Sequence, residues 1–101
     1  MPTKFESDIE KIARAFLTHV SGQDGAWVRG IDAFNAAIAT EQCRKLGWVR
    51  YIEGKPKARI AVTRVIERLM QDEFHDIEKE KRGSYQFAPV FFRLRKSPRH
   101  P

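Results

Sequence analysis

A chain of 101 residues has the length of one domain, and a domain of that size buries roughly two-thirds of the surface its unfolded chain exposes. Hydrophobic residues make up 42% and charged residues 32%, which excludes wholesale disorder and predicts one modest core under a heavily ionic surface. Net charge is +6, no apolar run reaches the ~18 residues needed to span a bilayer, and the N-terminal MPTKF lacks the apolar centre of a signal peptide, so a cytoplasmic protein without a membrane role is expected.

Ser7 and Glu10 stand at capping-box spacing, in which each side chain satisfies a backbone N–H of the other's turn. Ile9, Ile12, Ala13, Phe16, Leu17 and Val20 then recur at intervals of three and four. A first helix is predicted from Ser7, with Gly22 as its left-handed terminator. SGQDG reads as a loop, and residues 26–28 as a very short strand or an extended connector anchored by Trp27. Asp32 is placed to cap a second helix with Ile31, Phe34 and Ile38 inward, while Ala33, Ala36, Ala37 and Ala39 let another element approach closely. Thr40 either caps a separate third helix, TEQCRKL, or lies inside a second helix that runs unbroken to Leu46. In both cases Gly47 is expected to end it.

Residues 44–63 read RKLGWVRYIEGKPKARIAVT. Two β-favouring runs flank a tip holding Gly54 and Pro56, which predicts a β-hairpin over residues 48–62. Thr63 then caps a last helix with Ile66, Leu69, Met70, Phe74 and Ile77 inward, its polar end EKEKRG fraying into solvent. YQFAPVFFRLR reads as a strand that Pro89 holds to a sheet edge or breaks. Residues 93–101 form a basic tail, so the single domain is expected to span residues 1–92.

Positive charge is segregated. Residues 44–59 carry +5 and residues 83–101 carry +4, while residues 1–43 and 72–82 carry −2 each. Such segregation suits a polyanion or an acidic protein surface as partner. Arg44, Lys45, Arg50, Lys55, Lys57 and Arg59 are the candidate phosphate contacts, because cations near phosphates release condensed counterions. In the last turn of a helix, Arg44 and Lys45 also complement its dipole. Asn35 and Gln42, on the helices before the hairpin, are the candidate base-readers, since amide side chains can bind adenine edges.

The segment CRKLGWVRYIEGKPKARIAVTRVIERLM resembles the winged-helix superfamily of DNA-binding domains. It is similar to the part of MarR-type and ArsR-type regulators where a recognition helix ends in leucine-glycine-aliphatic and a strand enters a basic wing. The resemblance covers residues 26–70. It implies an α+β, winged-helix-like fold of three to four helices, with a small antiparallel hairpin as wing and a C-terminal strand. It leaves only residues 29–45 for a pair of helices, which must be short or fused.

Phe87, Val90, Phe91, Phe92 and Leu94 offer more apolar surface than one face of a short strand needs. They either fill both faces of a sheet or cover a partner or a second copy of the chain. Cys43 is the only cysteine, which excludes an internal disulfide and a multi-cysteine zinc site, and its apolar stripe favours a buried, inert thiol. His75 stands near Asp72 and Glu78, but an exposed acidic helix face accounts for that cluster without a metal. No catalytic triad, phosphate loop or paired-carboxylate pattern is visible, so no enzyme, cofactor or metal is expected. The function expected is binding of duplex DNA, with RNA as a variant, by a small regulator. The alternative is a protein-binding inhibitor or adaptor, of the kind a phage could direct against a host factor, using the basic hairpin and the aromatic segment against an acidic protein.

Overall fold

The computed structural model describes residues 4–47, 49, 59–86 and 88–95. Their order is α1 (Lys4–Ser21), β1 (Val28–Arg29), α2 (Gly30–Ile38), α3 (Glu41–Arg44), α4 (Arg59–Asp72), β2 (Ile77–Lys81) and β3 (Val90–Leu94). Among the described residues the fold is therefore α+β, with four helices and a three-stranded antiparallel sheet of order β1-β3-β2. This arrangement is compatible with a small winged-helix-like fold.

The apolar stripe of α1 is the spine. Ile12, Ala13, Phe16, Leu17 and Val20 are all buried, and both α2 and α4 pack along α1. The helix begins at Lys4, so Ser7 lies inside it and not at a cap. Glu10 has other work: its carboxylate accepts from Arg14 Nε at 3.2 Å and from Arg68 Nη2 at 3.4 Å. Nor does Gly22 turn left-handed. The N–H of Gly22 still donates to Thr18 and His19 carbonyls, and the positive φ angles fall at Asp24 (57°) and Gly25 (85°).

Helix α2 starts two residues before the expected cap, with Arg29 as its N-cap. The buried face is Ala33, Phe34 and Ala37, with Ile38 packed partly against the core and Ile31, expected inward, left 39% exposed. Gly30 belongs where it is because a Cβ there would lie 3.2 Å from the Val90 carbonyl oxygen and 3.3 Å from the Phe92 ring. Of the two readings of Thr40, a separate third helix is the one observed. The Thr40 hydroxyl oxygen accepts from the Cys43 N–H at 3.2 Å and its O–H donates to the Ala37 carbonyl at 2.8 Å, so one side chain closes α2 and opens α3.

The hairpin expected over residues 48–62 is corrected by its described flanks. Backbone at Gly47 and Val49 is helical, so Gly47 does not close the helical region and Val49 is not in a strand. Ile60, Ala61 and Val62 belong to α4. Thr63 is inside that helix, its hydroxyl donating to the Arg59 carbonyl at 3.0 Å. The tip with Gly54 and Pro56 lies outside the described residues. The observed hairpin comes later and is made by EKEK and VFFRL. Helix α4 stops at Asp72, where the N–H groups of Glu73 and Phe74 both donate to the Leu69 carbonyl at 2.8 Å. Ile77, read as helical, is then the buried start of β2.

Strand β3 occupies the centre of the sheet, not its edge. It pairs with β1 through Val28↔Phe92 and with β2 from Ile77↔Leu94 to Lys81↔Val90. Pro89 sits just before the strand, where its carbonyl accepts from Arg82 N–H at 2.9 Å and its missing donor removes no ladder bond. Since β3 runs to Leu94, the domain does not stop at residue 92; Arg93 and Leu94 are part of the sheet.

Phe92 ties the sheet to α1. It is 6% exposed, and its ring meets Phe16 edge-on with centroids 4.9 Å apart. On the far side, Arg14 clamps α1 to α4, donating from Nη1 and Nη2 to the two Glu73 oxygens at 2.7 and 2.8 Å. Those two hydrogen bonds hold the Glu73 carboxyl below its ordinary range.

Phe92→Ala is expected to cost about 3–5 kcal/mol, the range for emptying a buried phenylalanine site, read as a lower urea midpoint at unchanged slope. The Glu73 contribution has a definite sign. A depressed folded pKa gives stability that is present above the ordinary glutamate value of about 4.3 and lost as pH falls through the lower folded value. The difference in urea midpoint between wild type and Glu73→Gln should therefore be small but positive near neutrality, as for exposed ion pairs, and vanish in acid.

Candidate nucleic-acid interface

Helix α4 buries Val62, Ile66 and Leu69, and the 3.6-residue period turns Arg64, Gln71 and Arg68 to the opposite side. All three are exposed. Arg68 is tied to Glu10, whereas Arg64 has no carboxylate partner among the described residues. Among the described residues the helix thus presents an unpaired guanidinium and an amide outward, two turns apart on one face.

The hairpin follows α4 directly. Its last pair is Lys81↔Val90, and Arg82 N–H to Pro89 carbonyl closes the strands beyond it. The connecting loop turns at Gly83, whose φ of 124° is open to glycine, and exposes Tyr85 by 61%. Lys81 at the end of β2 is exposed and carries no ion pair among the described residues. The other described cations of the β2–β3 hairpin are committed. Lys79 Nζ donates to Glu67 Oε1 at 2.5 Å, Arg93 Nε to Glu78 Oε2 at 2.8 Å, and Arg82 Nε stands 3.8 Å from Glu80.

The outer face of the sheet is built from alternating charge and aromatic rings. Arg82 lies 4.0 Å from the Phe91 ring centroid and 5.3 Å from that of Trp27, and Arg93 lies 4.4 Å from Trp27. Each guanidinium faces the negative side of a ring quadrupole. The apolar surplus noted in the sequence is largely absorbed here. Val90, Phe92 and Leu94 face the core and Phe91 is covered by Arg82, so among the described residues the strand fills both faces of its sheet. Phe87 lies outside the described residues.

The remaining sequence candidates separate. Arg44 and Lys45 are exposed at the end of α3 with no ion pair among the described residues, and Asn35 and Gln42 are exposed on α2 and α3. Arg59 is no hairpin tip residue: it begins α4 and lies half-buried 5.9 Å from the Phe34 ring centroid. Arg50, Lys55 and Lys57 lie outside the described residues. Sequence reasoning missed Arg64, Gln71 and Lys81. The i, i+7 outward spacing of Arg64 and Gln71 is legible in the sequence, but with a hairpin expected over residues 48–62 the basic residues ahead of the helix take its place as candidates. Cys43 is buried, with its Sγ 3.9 Å from the Lys11 carbonyl. His75 is exposed in the turn between α4 and β2, and no group of three metal-ligating side chains occurs among the described residues. No described helix is long and apolar enough to cross a membrane.

Removing the Arg82 guanidinium should uncover Trp27 and Phe91. In a Trp48→Phe background, where Trp27 is the sole indole, Arg82→Ala is expected to red-shift the emission and lower stability by about 0.5–1 kcal/mol, checked by fluorescence and urea titration. No family model, no curated protein and no solved structure matches the chain.

Proposed function

We propose that the chain is a small cytoplasmic regulator that binds duplex DNA, with α4 as its recognition helix and the β2–β3 hairpin as its wing. The observation that carries this reading is the succession of an outward-facing Arg64 and Gln71 on α4 and a Lys81 without an ion pair among the described residues at the end of the hairpin that follows. The recognition helix expected before residue 47 and the wing expected over residues 48–62 are replaced in this reading by α4 and the β2–β3 hairpin. The sheet order β1-β3-β2 and the net charge of +6 support it further. Lys81, Arg64, Arg44 and Lys45 supply phosphate contacts, which position the protein without reading sequence. Gln71 and Arg64 are the groups with base-reading chemistry, the amide toward adenine and the guanidinium toward guanine.

The test is a fluorescence-anisotropy titration of random-sequence duplex at two salt concentrations. Wild-type affinity should fall steeply between 50 and 200 mM salt, by on the order of a hundredfold for about four phosphate contacts. Arg64→Glu with Lys81→Glu should weaken binding by at least about tenfold and flatten the salt slope by roughly one unit per cation removed. Unchanged affinity and slope in the double variant would overturn the assignment.

A further inference from the structure

Between α2, α4 and β3 lies an open groove of about 700 Å³, a size within the usual range of ligand sites. Its floor is apolar, formed by Phe16, Phe34, Val62, Ile66, Val90 and Phe92. Its lip carries Ile31 and Ile60, which are 39% and 54% exposed. These are two of the three large hydrophobic side chains most open to solvent among the described residues, and both border one depression.

The charged groups at the groove are Arg29, Arg59, Lys79 and Glu67. Glu67 is already bonded to Lys79, which leaves Arg29 and Arg59 without a carboxylate among the described residues. Both stand at the head of a helix. Arg29 is the N-cap of α2 and makes no side-chain cap bond, and Arg59 is the first residue of α4, whose first turn holds no acid. Asp32 in the first turn of α2 is the one nearby acid of either helix start, and it does not line the groove. Cations at helix N-termini oppose the helix dipoles, where carboxylates would be stabilised. Positive potential is therefore concentrated at the mouth of an apolar groove, with no unpaired carboxylate lining it among the described residues.

We propose that this groove docks an acidic, amphipathic segment of a partner protein, its apolar side chains on the floor and its carboxylates on Arg29 and Arg59. Charge selects this occupant over the others. A second copy of the chain would bring the same two cations against one another across a two-fold axis, and a nucleic acid would leave the apolar floor without apolar surface to cover it. Guanidinium–carboxylate pairs can be bidentate and fix the register of the segment, while the isoleucines of the lip exclude water around them. The site is separate from the outward face of α4 used above, since Ile60 and Thr63 border the groove and Arg64 does not.

The probe is a fluorescein-labelled peptide of about four helical turns, with leucines along one face and glutamates on the other; its lysine counterpart serves as control. Wild-type protein is expected to bind the glutamate peptide and not the lysine one. Arg59→Glu and Ile60→Glu should each weaken binding by about tenfold or more. Arg59→Glu places an acid where the α4 dipole favours one, so its thermal midpoint should hold or rise, which separates lost docking from lost folding. Arg64→Glu should leave peptide binding unchanged, so failure of the DNA reading is distinguishable from failure of this one. The proposal is overturned if the wild type ignores the glutamate peptide or if Arg59→Glu binds it equally well. Displacement of the peptide by duplex DNA, or a dimer in sedimentation that the peptide dissociates, would assign the groove to those occupants and overturn it too.

Discussion

The edge of Phe92 against Phe16, at 4.9 Å between centroids, is the contact on which the arrangement rests. Phe16 belongs to the stripe of α1 that also receives α2 and α4, and Phe92 belongs to the strand that holds β1 and β2 together. Among the described residues, one aromatic pair thus joins the helix on which α2 and α4 both pack to the strand that has a neighbour on each side. The burial of Ile77 and the close approach of Gly30 to β3 both follow from where that pair sets the sheet. The groove follows as well, because its floor contains both rings.

Around that centre the ionic surface divides into cations that are spent and cations that are not. Lys79, Arg93, Arg14 and Arg68 each have a carboxylate within 3.4 Å, and Arg82 lies on two aromatic rings. These groups hold elements together: Arg14 and Arg68 join α1 to α4, and Lys79 joins the sheet to α4. Exposed pairs of this kind each contribute little, but they decide which charges remain to meet a partner. β2 is an edge strand, and its alternating glutamates and lysines also discourage pairing with another sheet. The charge left over sits on the helices, at the hairpin's end and at the groove mouth.

The core helix was legible because α1 shows the helical period over many residues and ends in a Gly-rich loop. The separate α3 was one of two readings until Thr40 was seen to bond in both directions. The hairpin was misread for a physical reason. IAV is β-favouring as a triplet, but in RIAVTRVIERLM it supplies Val62 to a stripe with Ile66 and Leu69, and helical period over fourteen residues outweighs propensity over three. EKEK errs the other way. Its composition favours a helix, yet Ile77 buried and Phe92 exposed to pairing on both sides make it a strand, a tertiary demand that no local window contains. Arg59 changed role with the element it stood in. The groove was invisible in the sequence, since its walls come from segments some sixty residues apart.

Helix α4 therefore offers two chemically different surfaces about one axis. Toward α2 and β3 it contributes Arg59, Ile60 and Thr63 to an apolar depression with a cationic mouth; away from the core it carries Arg64 and Gln71 on a polar face. A side chain's direction along a helix is set by its position modulo 3.6, so one residue of register decides which surface it serves. That is why Ile60, an exposed isoleucine in an otherwise polar row, is not a stray apolar residue on the outward face. It stands at the border of the groove, where Ile31 is the other exposed isoleucine among the described residues. The two arginines beside them oppose their own helix dipoles and leave the mouth of an apolar depression positive.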